Sequence, residues 1–295
     1  MWGGLGRTMI ASSRLKALAV GFGHLLARNS RSRVVVLCYH SVHPEKSFAS
    51  ATPTLFRLHL EWLAENCDIV PFDAALPTIA SLPRRRPTVV VTLDDGYADN
   101  FDYAFPLIQC VSVPVTFFIC AGLVRRDPLV VARFRRLRRS DDKGIRPLSW
   151  SQLREIVSAG HSIGAHTYSH PNLASLDLRA VEAELTASKG VLEDGLGQEI
   201  SLMAYPFGKP RVHFTRETED VVAQCGYKAA ATAVFRAVRF TDSPYAIPRI
   251  SVVRDGIEAL AEKVYGAWDL FGLWHERSPL WLRRLVSPED FASIT

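Results

Sequence analysis

The chain has 295 residues, 48% hydrophobic and 22% charged, with a formal net charge of +5 at pH 7. This length and composition exclude an intrinsically disordered protein and allow either one large domain or two small ones. The small excess of Lys and Arg is confined to a few segments, so it does not indicate a nucleic-acid partner. The five cysteines show no C-x-x-C spacing and are interpreted as small core residues in a reducing compartment.

The first 32 residues are predicted to form a basic amphipathic helix. This segment contains no acid, and its apolar residues recur at helical spacing at Leu15, Leu18, Phe22 and Leu25. No small-x-small cleavage site precedes the next basic residues, and no apolar run is long enough to span a bilayer. These signals favour a cytoplasmic protein, freely soluble or bound peripherally to a membrane, over a secreted one.

From residue 33 onward, short β-branched runs alternate with helical patterns, which is typical of βα units around a parallel sheet. We predict an α/β fold, a distorted or incomplete (β/α) barrel of about seven parallel strands in a single domain over 33–260. An open doubly wound sheet is the alternative. The predicted strands are "RVVVLCYH", "TVVVTLDDG", "PVTFFIC", "HSIGAH", "SLMAYPFG", "YKAAATA" and "AIPRISV".

Polar residues lie where several predicted strands end, and in parallel α/β folds the chemistry collects at the carboxyl ends of the strands. His40 ends the first run, Asp94 and Asp95 end the second, and His166 and His170 follow the fourth. Two adjacent carboxylates repel each other, so a nearby cation is expected. Two histidines and one carboxylate leave an open coordination position, which is typical of a catalytic metal site with a bound water. The second carboxylate is then available as a general base.

In combination these motifs resemble the polysaccharide deacetylases with a NodB-type domain, carbohydrate esterase family 4. The resemblance rests on "TLDDG" at 92–96, "PVTFFI" at 114–119, "LSWSQLREIVSAGHSIGAHTYSHPNLASL", "AYPFG" and "CGYKAAAT", and it covers roughly 33–255. It is strongest to the branch that acts on poly-N-acetylglucosamine and related exopolysaccharides, because "VVVLCYHSV" is similar to the opening strand of that branch.

The resemblance implies the roles of individual residues. Asp94 corresponds to the general base, and Asp95, His166 and His170 correspond to the ligands of a divalent metal. Zinc is the expected ion, with cobalt, nickel or iron(II) as alternatives. The backbone amide of Phe207 is implied to help hold the oxyanion, although the Phe207 side chain can equally be an ordinary core residue.

The chain departs from the chitin and peptidoglycan branch at two positions. Ala204 stands where that branch usually has Arg, and no strand histidine follows residue 213 to serve as general acid. His275 is interpreted as part of a tail. We therefore predict that His40, brought beside Asp94 by barrel closure and protonated at rest, is the general acid, with a histidine packed under the barrel rim as the alternative. Arg249 can reach Asp94 and keep it ionised.

Two further segments are basic. Residues 132–139, "ARFRRLRR", are interpreted as a solvated helix face or a mobile loop, with contact to anionic lipid or an acidic glycan as the functional alternative. The tail, 261–295, combines Trp268, Phe271, Trp274 and Trp281 with arginines, a mixture suited to a membrane interface or to packing on the barrel.

The implied function is a metal-dependent hydrolase that removes N-acetyl groups from amino sugars of a polysaccharide or lipid-linked saccharide. In the implied reaction, a metal-bound water attacks the amide carbonyl. Alternatives are a deacylase or deformylase of another small or lipid-linked glycan, and a catalytically inactive glycan-binding protein. A non-haem iron oxygenase also uses two histidines and a carboxylate, but it needs no adjacent base, so Asp94 argues against it.

Overall fold

The structure, a computed structural model, describes residues 33–45, 50–75, 85–138 and 146–287. The predicted N-terminal helix over 1–32 lies outside the described residues. The strands are β1 (Val34–Tyr39), β2 (Ser41–Val42), β3 (Ser50–Ala51), β4 (Asp68–Ile69), β5 (Thr88–Leu93), β6 (Val115–Ile119), β7 (Ser162–Ala165), β8 (Leu202–Ala204), β9 (Ala229–Ala231) and β10 (Ile250–Ser251).

The helices surround these strands, and within the described residues none is long and apolar enough to cross a bilayer. A single π-helical turn, Asn100–Ala104, follows the second long strand, and short 3-10 turns occur at Phe72–Ala75 and Leu173–Ser175. The α-helices are α1 (Pro53–Asn66), α2 (Phe105–Val111), α3 (Ala121–Val124), α4 (Pro128–Arg138), α5 (Trp150–Ser158), α6 (Leu178–Leu196), α7 (Arg216–Gln224), α8 (Ile257–Tyr265), α9 (Asp269–Arg277) and α10 (Leu280–Val286).

Local sequence signals explain where the helices begin and end. Ser149 and Gln152 form a capping box at the start of α5, and the Thr52 side chain caps the first turn of α1. Gly197 ends α6 with φ of 69°, a left-handed conformation that costs glycine little. Helices are therefore present between the strands, as the helical patterns in the sequence predicted.

Seven parallel strands follow one another in the main sheet in the order β10, β1, β5, β6, β7, β8 and β9, and the two-residue β4 pairs parallel with β5 as an eighth strand. The sheet curls, and the segment before β10 closes much of the gap. Ile247 forms a parallel bridge with Ala231 of β9, while Ile250 pairs with Leu37 of β1. The predicted fold class, an incomplete (β/α) barrel of about seven parallel strands, is confirmed. The two-residue strands β2, β3 and β4 were not predicted.

The alternation of side chains along β1 decides which residues face the barrel interior. Val35, Leu37 and Tyr39 belong to the core under the helices, while Val34 and Val36 belong to the inner core. Because successive side chains point to opposite faces of a strand, Cys38 and His40 continue the inner row. The inner row thus changes from apolar to polar toward the carboxyl end of the strand.

Candidate active site

The two adjacent aspartates face different partners because the chain turns between them. The backbone amide of Asp94 donates to the Tyr39 carbonyl at 2.9 Å, which continues the pairing of β5 with β1. Asp95 adopts φ of 77°, a left-handed conformation that Asp tolerates better than most residues, and Gly96 follows with φ of 87°. The turn therefore separates the two like charges that the sequence places side by side.

Asp94 is buried and paired with an arginine. Arg249 donates from both Nη atoms to the two carboxylate oxygens of Asp94, each at 2.7 Å. The Cys38 thiol, whose pKa burial raises well above the usual value, donates to Asp94 Oδ2 at 3.4 Å. Burial alone would raise the pKa of Asp94, but the charge and the hydrogen bonds of Arg249 hold that pKa well below its ordinary value. Asp94 is thus ionised.

Arg249 is itself held in a fixed position although it precedes β10 and ends no strand. Its Nε donates to the Thr232 carbonyl at 3.0 Å, and its Nη1 donates to Thr92 Oγ1 at 3.1 Å. Its guanidinium also lies over the Phe118 ring, 5.3 Å from the centroid. The predicted contact between Arg249 and Asp94 is therefore present.

Asp95, His166 and His170 bring three potential ligand atoms together. Asp95 Oδ1 lies 3.5 Å from Nε2 of His166 and 3.5 Å from Nε2 of His170, and all three residues are buried. A tetrahedral ion with bonds of 2.0–2.1 Å separates its ligand atoms by about 3.4 Å. The spacing of these atoms therefore fits a small divalent cation.

The protonation of the two histidines also fits metal binding. His166 Nδ1 lies 2.7 Å from the Ala204 carbonyl, which can only accept a hydrogen bond, so Nδ1 carries the proton and Nε2 offers its lone pair. Burial and the neighbouring His166 lower the pKa of His170 to about 3, so its ring is neutral. Neutral imidazoles are the form that binds metals.

The loop between the two histidines is backbone-strained and firmly held. Thr167 and His170 adopt φ of 61° and 56°, and the Thr167 hydroxyl accepts a hydrogen bond from the His170 amide at 3.0 Å. From α6, the Glu184 carboxylate accepts from the Tyr168 amide at 3.0 Å, the Ser169 amide at 2.8 Å and the Ser169 hydroxyl at 2.6 Å. Such conformations persist only where surrounding contacts over-determine them.

His40 lies beside Asp94, as predicted, but barrel closure is not the reason. β1 and β5 are adjacent strands, and Cys38, His40 and Asp94 place one potential ligand atom each within 4.8 Å of one another. His40 Nδ1 is buried without a hydrogen-bond partner among the described residues. Burial lowers the pKa of His40, an effect that Asp95 and Asp94 only partly offset. Burial therefore works against a protonated His40 at rest, and the protonation of His40 stays a prediction.

Phe207 lies in the turn after β8, next to a metal-ligand candidate. Its φ is 59°, and its ring centroid lies 4.8 Å from that of His170 and 5.1 Å from that of His213. Gly208 follows with φ of 63°, and a Cβ there would lie 2.6 Å from the Ala233 nitrogen. The turn therefore requires glycine at 208, and Phe207 packs within the site rather than in the main core.

Although position 204 holds Ala, an arginine from another part of the chain contacts Asp94. Ala204 contributes its carbonyl to His166, while the guanidinium that pairs with the base candidate comes from Arg249, 45 positions later in the chain. The contact that the substitution put in doubt is thus made from another segment.

Several residues that approach the site were not predicted from the sequence. Cys38, interpreted as a core residue, donates to Asp94, and Glu184 holds the histidine loop. The basic segment forms α4, whose Phe134 ring lies 5.2 Å from the His170 ring, while Arg133 donates to the Ser169 carbonyl at 3.1 Å. No motif or spacing in the sequence predicts these contacts.

The C-terminal segment packs on the barrel. The predicted boundary after residue 260 falls inside α8, and His275 is buried in α9 against the Phe271 ring, 5.8 Å away. Asp269 pairs with Arg33 at 2.7 Å, and Glu276 pairs with Arg236 at 2.9 Å. The division of the chain into three segments stays a prediction.

Comparison with known proteins adds the family. A sequence profile of the polysaccharide deacetylases matches residues 81–230, about half of the chain. The chain is 23% identical over 274 residues to a poly-β-1,6-N-acetyl-D-glucosamine N-deacetylase of Staphylococcus aureus, covering 88% of this chain and 84% of the relative.

Two solved structures share the fold. The Streptococcus pyogenes deacetylase PplD superposes with a TM-score of 0.66 at 21% identity, covering 80% of this chain and 99% of that one. IcaB from Ammonifex degensii superposes with a TM-score of 0.61 at 24% identity, covering 83% and 97%. With the family profile spanning Asp94, Asp95, His166 and His170, the chain belongs to the polysaccharide deacetylase family, and the predicted enzyme class, a carbohydrate N-deacetylase, is confirmed.

Proposed function

We propose that the protein hydrolyses the N-acetyl amide of amino sugars in a poly-N-acetylglucosamine-like polysaccharide or a lipid-linked saccharide, releasing acetate and a free amine. The observation that carries this proposal is the position of the base candidate next to the metal-ligand candidates. An ionised Asp94, fixed by Arg249, lies beside the Asp95, His166 and His170 cluster, with His166 Nε2 4.0 Å from Asp94 Oδ2. The name of the Staphylococcus aureus relative supports the same class of substrate.

Asp95, His166 and His170 would hold the divalent ion, for which zinc is our choice because two imidazoles and a carboxylate suit it. When bound, such an ion polarises an amide carbonyl and lowers the pKa of water. The metal and its ligands can be tested together by changing each of the three residues to Ala and measuring metal content by mass spectrometry. Most of the bound metal should be lost in each variant, and a triple variant that keeps one equivalent would refute the assignment.

Two residues of the chain would then carry out the two proton transfers, one as base and one as acid. Asp94 accepts a proton from the attacking water, because Arg249 keeps its carboxylate ionised and oriented. His40, which directly follows the neighbouring strand β1, would take up a proton in the complex with substrate and deliver it to the leaving nitrogen, which otherwise departs as a poor anion. No hydrogen bond from the Phe207 amide to another group occurs within the described residues, so this amide is available to the oxyanion.

The decisive experiment measures acetate by mass spectrometry after metal-loaded protein is incubated with N-acetylated oligosaccharides and lipid-linked saccharides. Acetate release that disappears after chelation and returns with zinc is the expected result. Formate or a longer acyl product from matched substrates would favour the deformylase or deacylase alternative. Binding of the same sugars without any acyl release would favour an inactive glycan-binding protein.

For location, we propose a cytoplasmic enzyme in peripheral contact with a membrane. The support is compositional: a basic N-terminal segment without acids and a tail rich in Trp and Arg. The first of these segments lies outside the described residues.

A further inference from the structure

Two exposed patches flank the site and have no part in the proposed reaction. The α4 patch consists of Leu129, Arg135 and Arg136, and the Trp281 patch consists of Arg277, Leu280 and Trp281. Leu129 is 81% exposed and Trp281 is 65% exposed. Of the eight large hydrophobic side chains exposed in the described residues, four lie on α4 or α10, so apolar exposure is concentrated there.

Both patches lie at the carboxyl end of the barrel, next to the metal-ligand candidates. α4 follows β6, and its buried side packs Phe134 against His170. α10 is attached to the loop after β8, where Arg283 donates to the Pro210 carbonyl at 3.0 Å. The same loop carries Phe207, whose ring contacts His170.

The α4 patch is also cationic. Arg135 and Arg136 are exposed and have no acidic partner among the described residues, and the preceding Arg125 and Arg126 are exposed as well. The acid within this stretch, Asp127, is occupied by the Tyr168 hydroxyl at 3.0 Å and by the Leu129 amide at 2.9 Å. Asp127 thus caps the start of α4 and interacts with Arg125, so that Arg135 and Arg136 remain the exposed cations of the α4 patch.

We propose that this rim docks on an anionic lipid bilayer, so that the mouth of the site opens toward the membrane surface. Arginines beside a protruding Leu and Trp match the anionic headgroup region with its apolar boundary just beneath. An acidic glycan would satisfy the arginines but leave Leu129 and Trp281 without an apolar partner. The inference extends the proposed function by placing its substrate at a membrane, whereas lipid binding itself requires no catalysis.

The test uses the full chain and vesicles of phosphatidylglycerol and phosphatidylcholine in equal amounts, with pure phosphatidylcholine for comparison. In a sedimentation assay, the pair Arg135→Gln and Arg136→Gln should weaken binding to anionic vesicles by roughly fivefold for each arginine. The pair Leu129→Ser and Trp281→Ser should weaken it by roughly tenfold. Acetate release from a soluble oligosaccharide should not change, because none of the four residues lies in the proposed site.

Phe240→Ser is the matched control. Phe240 is 63% exposed but lies near Val238, whose amide donates to the Val34 carbonyl at the amino end of β1, away from the site. This substitution should leave vesicle binding unchanged.

A second readout separates this rim from any binding by the N-terminal segment. Brominated lipids quench tryptophans that enter the bilayer, so the quenched part of the emission should disappear in Trp281→Phe. The proposal is overturned if vesicle-bound protein is not quenched through Trp281. It is overturned equally if the rim variants bind vesicles as the wild type does, or if they lose affinity only for a polyuronate.

Discussion

At the scale of single residues, the site depends on how two neighbouring carboxylates are separated. Asp94 stays in strand register and faces Arg249, while the left-handed Asp95 turns toward His166 and His170. One carboxylate is therefore neutralised by a fixed guanidinium, and the other faces the two histidines as a candidate metal ligand. A base and a ligand arise from identical side chains because their surroundings differ.

Asp94→Asn is expected to lower kcat by about a hundredfold or more, because the amide cannot accept the proton. The buried Arg249 would keep one acceptor instead of two, so the unfolding free energy should fall by no more than about 3–5 kcal/mol. Typical domains are stable by about 5–15 kcal/mol, so the variant should stay folded. Metal content, circular dichroism and acetate release check this. Wild-type turnover with metal still bound would assign the base elsewhere.

His40→Ala is expected to leave metal content intact and to lower kcat by roughly a hundredfold, because the leaving nitrogen would lose its proton donor. His43→Ala is the matched control, since His43 lies three residues further along and packs beside Tyr103 outside the cluster. His275→Ala is unsuitable as a control because His275, which the sequence places in a tail, is buried. Equal activity of His40→Ala and His43→Ala would remove His40 from the mechanism.

At the scale of elements, the histidine loop depends on a helix that follows it in the chain. Glu184 of α6 binds two amides and one hydroxyl of a loop that contains two left-handed non-glycine residues. The loop is held on its other side by α4, through Arg133 and Phe134. The positions of His166 and His170 are therefore set by two elements that contribute no ligand.

Glu184→Gln is expected to weaken metal binding by roughly tenfold to a hundredfold, because the amide accepts fewer hydrogen bonds from the loop and the histidines lose their fixed spacing. Glu182→Gln, a change at an exposed residue two positions earlier on the same helix, should have no effect. Competition with a chelator measures the affinity. If both variants retain wild-type affinity, the loop holds its shape without Glu184.

At the scale of the whole molecule, the barrel is completed by residues late in the chain. The segment before β10 connects β9 to β1 and carries Arg249 into the interior. The helices α9 and α10 then cover the outside, where Asp269 and Glu276 pair with the buried Arg33 and Arg236. The C-terminal segment is thus packed as part of the described fold.

Truncation after Tyr265 is expected to lower the unfolding free energy by on the order of a few kcal/mol, because Arg33 and Arg236 would each lose a carboxylate and the barrel would lose the cover of Phe271. Urea denaturation followed by circular dichroism measures the change. Trp281→Ser, which alters an exposed residue of the same segment, should leave the midpoint unchanged. A truncated chain as stable as the full one would support the predicted tail boundary after residue 260.

Much of the fold and the metal cluster could be predicted because their signals are local. Seven short, mostly apolar runs predicted the seven parallel strands, and the spacing in "TLDDG" and "HTYSH" predicted residues that do come together. These patterns can be recognised in a sequence because the alternation of side chains in a strand and the residue preferences of turns each involve only a few consecutive residues. The two-residue strands β2, β3 and β4 escaped prediction because such short pairings leave no periodic pattern, whereas the equally short β10 lies within the predicted run "AIPRISV".

The sequence by itself determined the fold class, the strands that carry the site, and the pairing of a carboxylate with two histidines. Only the tertiary structure decided that Arg249 binds Asp94, that Cys38 and Glu184 support the site, and that burial lowers the pKa of His40. These outcomes depend on burial and on contacts between residues far apart in the chain, such as the 155 positions that separate Asp94 from Arg249. Burial changes the energy of every charge, and no local pattern of residues records it.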